Sequence, residues 1–519
     1  MNNPSMLINR IFKKDQKTII LLFILAVLAF LVFFNITNYP KPWFDEGSHL
    51  HVPKTLVQYG VYADLSSEGF RYYGPTIGVG PTVMLPIALM FKLFGIGLLQ
   101  ARLVVALYSL GAILVFFGMV RMLSDTVMAG LALLLMLSSR SVLFLDYGRQ
   151  VLGEVPGFFF LILGIFLWFK NWENSSWKRL VLIGLLFGFS MITKYQYLLF
   201  LIPMIGIAWL LNIFYYRTSS HKNFIIPGLV AGVSFGIWQI ITILSLGPST
   251  ALENLALLRT SAEGVAFSFN LSQISSNIGE LTNRSVYLGA LIPGLIFGFT
   301  TMLPKSIQGQ KWSMLYILMG LNLGWYVVAS IGWIRYAFLG LALSSIFIAR
   351  FFYDLTGNFK LSEAGATLKS YLDALFHAKY AIRWALVGWL VLIVIAPLGK
   401  TVLDITFPGP NEAQAMAAYL NENVPKNVII ETWEPEMGFL TDHNYHYPPN
   451  PLLAVAIKQV YSNGEPVQQY YDYVQTDHPD YLLVGVFSKW VNMYPLDQLS
   501  SQYELVASVY NYDLYERRK

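Results

Sequence analysis

Residues 18–46 read TIILLFILAVLAFLVFFNITNYPKPWFDE. Positions 18–34 carry no charge, and about 17 apolar residues are enough to cross the hydrocarbon of a bilayer. Arg10, Lys13, Lys14 and Lys17 precede the run, so the basic end is expected inside. No small-residue cleavage pattern follows, which favours a retained first helix over a signal peptide. Asp45 and Glu46 are therefore expected just beyond the outer end of that helix, and the rest of the chain is read from this acidic pair.

The same apolar character runs through most of the 519 residues, of which 55% are hydrophobic and 13% charged, against about 25% charged in soluble domains. Eleven spans are expected, at 18–37, 101–120, 126–146, 154–170, 178–193, 196–215, 224–246, 286–304, 313–331, 335–353 and 382–403. The segment 81–97 is apolar but holds Lys92 and two prolines. Reading it as an interfacial helix within a first outer loop, 38–100, puts Arg121, Lys170, Lys178, Arg179, Arg217, Lys222, Lys305, Lys311 and Arg350 in short inside loops. Counting it as a span would turn all of them outward. Residues 177–216 as one helix would run about 60 Å, twice the hydrocarbon thickness, so a hairpin turning near Lys194 is expected.

Residues 405–519 hold 14 acidic and 6 basic side chains, a net of −8, which leaves +13 on the rest for the overall +5. The chain is read as two units, a membrane body at 1–404 and an acidic solvated domain at 405–519, parted by Pro408-Gly409-Pro410. In the second unit 411–421 and 467–476 read as helices and 428–432, 481–486 and 505–510 as strands, a small α/β domain. The chain has no cysteine, so disulfides, thiolate zinc sites and cysteine nucleophiles are excluded. Neither unit has the basic stripe that nucleic acid requires.

Charged groups are costly within a membrane, so their positions carry information. Asp45, Glu46, Asp146, Arg149, Glu154, Lys194 and Arg335 all fall at outer helix ends or in the first outer loop. Arg140 is the charge nearest a midplane, about six residues inside the third span. A partly desolvated carboxylate suits a general base that deprotonates a hydroxyl; equally, Asp45 and Glu46 suit the first turn of a helix over 47–59. His49 stands four residues after Asp45, a spacing compatible with a divalent metal, although no second ligand cluster accompanies it and no cofactor is called for. Arg140, Arg149, Lys194 and Arg335 are cations at headgroup level, able to bind a phosphate or to pair with Asp146 and Glu154. The turn Gly74-Pro75-Thr76-Ile77-Gly78-Val79-Gly80-Pro81 lacks the lysine and hydroxyl of a nucleotide loop and is read as the bend into the interfacial helix. Trp433, Tyr445, Tyr447, Tyr470, Tyr471 and Tyr473 are either sugar-stacking rings or the core of the small domain.

Asp45-Glu46, Gly60-Val61-Tyr62, Arg71-Tyr72-Tyr73, Gly78-Val79-Gly80-Pro81 with Leu85-Pro86, Phe94-Gly95, Ala101-Arg102-Leu103, Gly148-Arg149 with Glu154, Thr193-Lys194 and Arg335-Tyr336 together resemble the GT-C superfamily. The similarity is to the branch of protein O-mannosyltransferases and lipid A aminoarabinose transferases, over about residues 18–350. It implies an all-α polytopic membrane protein of about eleven transmembrane helices with a small extracytoplasmic α/β C-terminal domain, multi-pass in a bacterial plasma membrane. It further implies a glycosyltransferase moving a hexose or pentose, with inversion, from a polyprenyl-phosphate donor to a hydroxyl of a protein, glycolipid or polysaccharide. Asp45 and Glu46 would be the catalytic pair, with Arg149, Glu154, Lys194, Arg335, Tyr72 and Tyr73 binding substrate. The Gly74-Pro75-Thr76 stretch departs from the Lys-Pro-Pro usual in aminoarabinose transferases. A lipid-linked oligosaccharide ligase or polymerase uses the same kind of donor, and a transporter or flippase is the rival of another class, one that would need binding groups near the midplane.

Eleven spans with an inside N-terminus place the small domain on the outer side. A cysteine introduced at Ser462 is expected to react with an impermeant maleimide in intact cells, whereas labelling only after the membrane is opened would overturn this topology.

Overall fold

The structure, a computed structural model, describes residues 4–72, 78–267, 269–359, 378–462 and 464–518. Helix α1 (Pro4–Phe33) is followed by a long connecting segment, in which α2 (Phe44–Tyr59), the hairpin β1 (Asp64–Ser66) and β2 (Gly69–Arg71), and α3 (Pro81–Phe94) succeed one another. The membrane body continues as α4 (Leu98–Leu123), α5 (Thr126–Ser138), the single turn α6 (Phe144–Tyr147), α7 (Glu154–Lys170), α8 (Trp177–Thr193), α9 (Gln196–Leu211) and α10 (Lys222–Leu246). It closes with α11 (Pro248–Val265), α12 (Leu271–Thr282), α13 (Leu291–Thr301), α14 (Ile307–Ala329), α15 (Phe338–Leu355) and α16 (Ala378–Thr406). Six of these segments are long and apolar enough to cross a membrane, and the protein is an integral multi-pass one.

One packed interior, which includes Phe116, Phe158, Phe187, Leu318 and Phe347, joins helices α4, α7, α8, α14 and α15. Small residues set the closest approaches: a Cβ on Gly157 would lie 2.4 Å from the Tyr197 ring and one on Gly164 2.5 Å from Phe187. The opposite faces of α3 and α10 present Leu85, Leu89, Leu93, Leu229 and Leu244 outward, as lipid contact requires. Helix α3 has 14 residues, about 21 Å at 1.5 Å per residue, short of the roughly 30 Å of hydrocarbon. Its start is fixed by Gly80, whose N–H donates to Thr193 O at 3.0 Å, where a Cβ would sit 1.9 Å from Ile192 O. The glycine turn thus bends the chain against the end of α8, while Gly74, Pro75, Thr76 and Ile77 lie outside the described residues.

Three features differ from the sequence reading. The third expected span, 126–146, stops at Ser138; Leu143 then adopts a left-handed φ of 52°, and Arg140 leaves the helix to pair with Asp404 at 3.2 Å. The stretch 247–285, expected as an outer loop, folds as α11 and α12, anchored by the buried Asn277, which donates to the carbonyls of Tyr326 and Ser330 at 2.9 Å each. The expected helix 467–476 is two single turns, Val467–Tyr470 and Tyr473–Thr476, because Asp472 has a non-helical φ of −122°.

The C-terminal domain comprises α17 (Glu412–Asn423), β3 (Ile429–Thr432), α18 (Pro435–Leu440), β4 (Asn444–His446), α19 (Pro451–Ser462), β5 (Tyr481–Val484), β6 (Tyr503–Val509) and β7 (Tyr512–Arg517). Its sheet runs β4-β3-β5-β7-β6, with β3 parallel to β4 and β5 and β7 antiparallel to β5 and β6. The domain sits on the segment between α1 and α4, where α2 packs against α18. Both ring nitrogens of His51 face acceptors, Asp64 and Pro435 O, the latter at 2.6 Å. Lys54 caps α18 by donating to Gly438 O and Thr441 O at 2.9 and 2.8 Å, and Ser67 N–H donates to Tyr445 O at 2.7 Å. Beneath this contact lie the buried carboxylates Glu434 and Glu436; burial raises Glu434 to about 7, and burial plus the neighbouring charge raises Glu436 as well.

Gly47 is where the two backbones meet: a Cβ there would stand 2.3 Å from Glu436 N. Gly47→Ala is expected to destabilise the docked domain by about 1–3 kcal/mol, the usual cost of overpacking. Limited proteolysis between residues 405 and 411 measures it, and cleavage at the wild-type rate would refute it.

Candidate functional site

The first turn of α2 carries both acidic residues, and the two point different ways. Glu46 is fully buried and receives Nε and Nη2 of Arg102 at 2.8 and 2.5 Å. Arg102 Nη1 also donates to Ile36 O and Pro40 O at 2.6 and 2.7 Å, and Glu46 Oε1 accepts the Val151 N–H at 3.0 Å. The end of α1, the start of α2, helix α4 and the turn before α7 are thereby tied to one guanidinium. Glu46, read from sequence as half of a catalytic pair, is thus turned into the protein and occupied there.

Asp45 faces the other way, into an alternating row of charges. It pairs with Arg335, Arg335 Nε lies 3.4 Å from Glu154 Oε1, and Glu154 pairs with Lys194. Four separate elements supply these side chains: the N-terminal turn of α2, the turn Ile334–Ala337 before α15, the first residue of α7 and the residue after α8. Asp45 and Glu154 thus stand at helix N-termini and Lys194 at a C-terminus, each where the helix dipole favours its sign. The row is neutral as a whole. Arg335 is further held between two indoles, its guanidinium carbon 5.4 Å from the Trp43 ring centre and 5.3 Å from that of Trp333.

A small pocket of about 10 Å³, bordered by Glu154, Lys194, Tyr197, Asn322, Arg335 and Tyr336, lies beside this row. Glu154 Oε2 is buried without a hydrogen-bond partner among the described residues. His49 lies close enough to feel the charges of Asp45, Lys194 and Glu154, and burial lowers its imidazole below the ordinary value. Its Nδ1 faces Val151 O at 2.8 Å, so that nitrogen carries the proton. Among the described residues no group of three or more His, Cys, Asp or Glu side chains could hold a metal ion.

The remaining sequence candidates lie elsewhere. Arg149 is buried under α1 and donates to Tyr39 O at 3.0 Å, Leu31 O at 2.8 Å and Phe34 O; this guanidinium caps the end of a helix and is not carried into the site. Asp146 accepts from Tyr39 Oη at 2.9 Å. Tyr72 follows β2 and is 42% exposed, and Tyr73 lies outside the described residues. Trp433, Tyr445 and Tyr447 are buried core. Sequence reading missed the role of Arg102, although a lone arginine at the outer end of an apolar helix calls for a carboxylate partner, and it missed the indoles of Trp43 and Trp333 flanking Arg335.

Residues 79–238 match the family described as dolichyl-phosphate-mannose-protein mannosyltransferase. No curated protein sequence matches the chain. The fold is shared with ArnT from Cupriavidus metallidurans bound to undecaprenyl phosphate, at 14% identity and a TM-score of 0.63 over 96% of this chain and 98% of that one. It is also shared with the archaeal oligosaccharyltransferase AglB from Archaeoglobus fulgidus in complex with an inhibitory peptide and a dolichol-phosphate, at 11% identity and a TM-score of 0.54 over 95% and 74% of the two chains. The GT-C architecture and the helical membrane body with its small α/β domain are thus as expected.

Glu46→Gln is expected to destabilise the protein by about 3–5 kcal/mol, because it leaves the buried Arg102 without its counter-charge. The double substitution Glu46→Leu with Arg102→Met should recover much of that loss. A thermal melt of Glu46→Gln in detergent that matches wild type would dissolve this assignment.

Proposed function

We propose that the protein is a glycosyltransferase that takes a sugar from a polyprenyl-phosphate donor and joins it to an acceptor hydroxyl at the outer face of the membrane. One observation carries this reading: the row Asp45–Arg335–Glu154–Lys194, gathered from four helix ends in a fold shared with a transferase bound to undecaprenyl phosphate. Two cations beside a small pocket are what a phosphate needs, and charge-assisted hydrogen bonds to phosphate are about twice as strong as neutral ones.

The pairing suggests how donor and base are coupled. In the structure Asp45 is held by Arg335. A donor phosphate accepting from Lys194 and Arg335 competes for that guanidinium and loosens Asp45, while Glu154 keeps both cations in place. Asp45 then takes the proton of the acceptor hydroxyl, and the hydroxyl oxygen bonds to the anomeric carbon from the face opposite the phosphate. The bond from that carbon to the phosphate oxygen breaks, its electron pair staying on the phosphate, where the cations stabilise it. The configuration inverts. The likeness to AglB keeps a ligase of lipid-linked oligosaccharides as a second reading, with the same leaving group. Transport is not favoured, because the paired charges stand at helix ends and not at mid-depth.

The test is kinetic, in nanodiscs, with synthetic polyprenyl-phosphate hexoses and pentoses. Asp45→Asn should lower kcat by a factor of about 10²–10⁴, the range for loss of a general base, without lowering the melting temperature. Lys194→Ala should raise the donor KM about tenfold or more. Wild-type turnover in Asp45→Asn, or unchanged donor KM in Lys194→Ala, would overturn the assignment.

A further inference from the structure

An aromatic arch crosses the outside of the charged row. Phe44, next to Asp45, stacks on Phe487 of the C-terminal domain with ring centres 3.8 Å apart. Phe487 meets Trp490 at 5.7 Å, and Trp490 lies parallel to Trp333 at 6.2 Å with 19° between their planes. Tyr461 stands edge-on to both, at 6.0 Å from each. The arch therefore begins one residue before Asp45 and ends two residues before Arg335.

Its two halves differ in exposure. Trp433 and Phe487 pack beneath Phe44 and complete the seam between domain and membrane body. Trp490 lies beyond that seam and is 43% exposed, with Trp333 and Tyr461 half-buried beside it. An indole left in water forgoes roughly 25 cal/mol for each Å² of apolar surface it does not bury, so packing alone gives no reason for one here. A flat, electron-rich face joined to the charged row through Trp333, whose ring lies 5.3 Å from the Arg335 guanidinium carbon, suits the C–H face of a pyranose, whose hydroxyl rim stays in water. A bilayer surface is a poorer partner, since residues 405–519 carry a net charge of −8 and anionic headgroups would repel them.

We propose that Trp490, Trp333 and Tyr461 form the acceptor subsite and that the acceptor is a saccharide, its ring lying on Trp490 while one hydroxyl reaches Asp45. This deepens the glycosyltransferase reading and rests on it. The acceptor oxygen forms the new bond to the donor's anomeric carbon, its proton passes to the Asp45 carboxylate, and the polyprenyl phosphate leaves with the electron pair of the broken bond.

The experiment uses the full chain in nanodiscs with a polyprenyl-phosphate hexose and three kinds of acceptor: manno-, malto- and chito-oligosaccharides of one to four units, a serine/threonine peptide, and water alone. A rise in the wild-type melting temperature on adding polyprenyl phosphate reports the parent reading without any acceptor, so its absence would overturn both proposals, whereas its presence isolates the one made here. Saturable transfer to a saccharide is expected. Trp490→Ala should raise the saccharide KM tenfold or more, Trp490→Phe should restore most of it, and the donor KM should stay within twofold in both. Transfer to the peptide and to none of the saccharides, or a saccharide KM unmoved by Trp490→Ala, would overturn the acceptor subsite.

Discussion

The arrangement depends on one buried ion pair, Glu46 with Arg102. Two ions withdrawn from water gain little against a well-packed apolar pair of the same size, but removing either one alone costs about 3–5 kcal/mol. What the pair supplies is position. Arg102 reaches Glu46, Ile36 O and Pro40 O through four hydrogen bonds from one rigid plane, and a lysine, a point charge on a flexible stem, would not hold all three. Asp45 is the next residue in the chain, so its direction is set by its neighbour's anchor.

With α2 so fixed, the charged row follows from helix geometry. Side chains at the ends of α2, α7 and α8 meet because those helices end at one level, and the sign of each charge agrees with the dipole of its helix. Arg335 reaches the row from a short 3₁₀ turn and is held on both sides by indoles. The alternation leaves the row neutral as a whole, each carboxylate facing a cation.

The C-terminal domain completes the site from above. It is joined to α2 by close backbone approach at Gly47 and by the hydrogen bonds of His51 and Lys54, so the helix that carries Asp45 also bears the domain. Residues on both sides of that seam, Phe44 and Phe487 among them, form the arch over the row. The surroundings of Asp45 thus include a surface the membrane body does not contain by itself.

Much of this was legible in the sequence, for identifiable reasons. Long uncharged runs report burial in lipid, because no other environment tolerates them, and the acidic tail reports a solvated domain. Charges confined to helix ends marked Asp45, Glu154, Lys194 and Arg335, since a membrane permits them in few other places. The sequence could not tell Asp45 from Glu46, because adjacent residues in a helix differ by about 100° in direction and only Arg102, 56 positions later, decides which one is anchored. It could not separate Arg149 from Lys194 and Arg335 for the same reason: its acceptors are carbonyls at and just beyond the end of α1, more than a hundred residues away. Nor could it place Trp490 beside Trp333, which tertiary packing alone brings together across the seam between the two units.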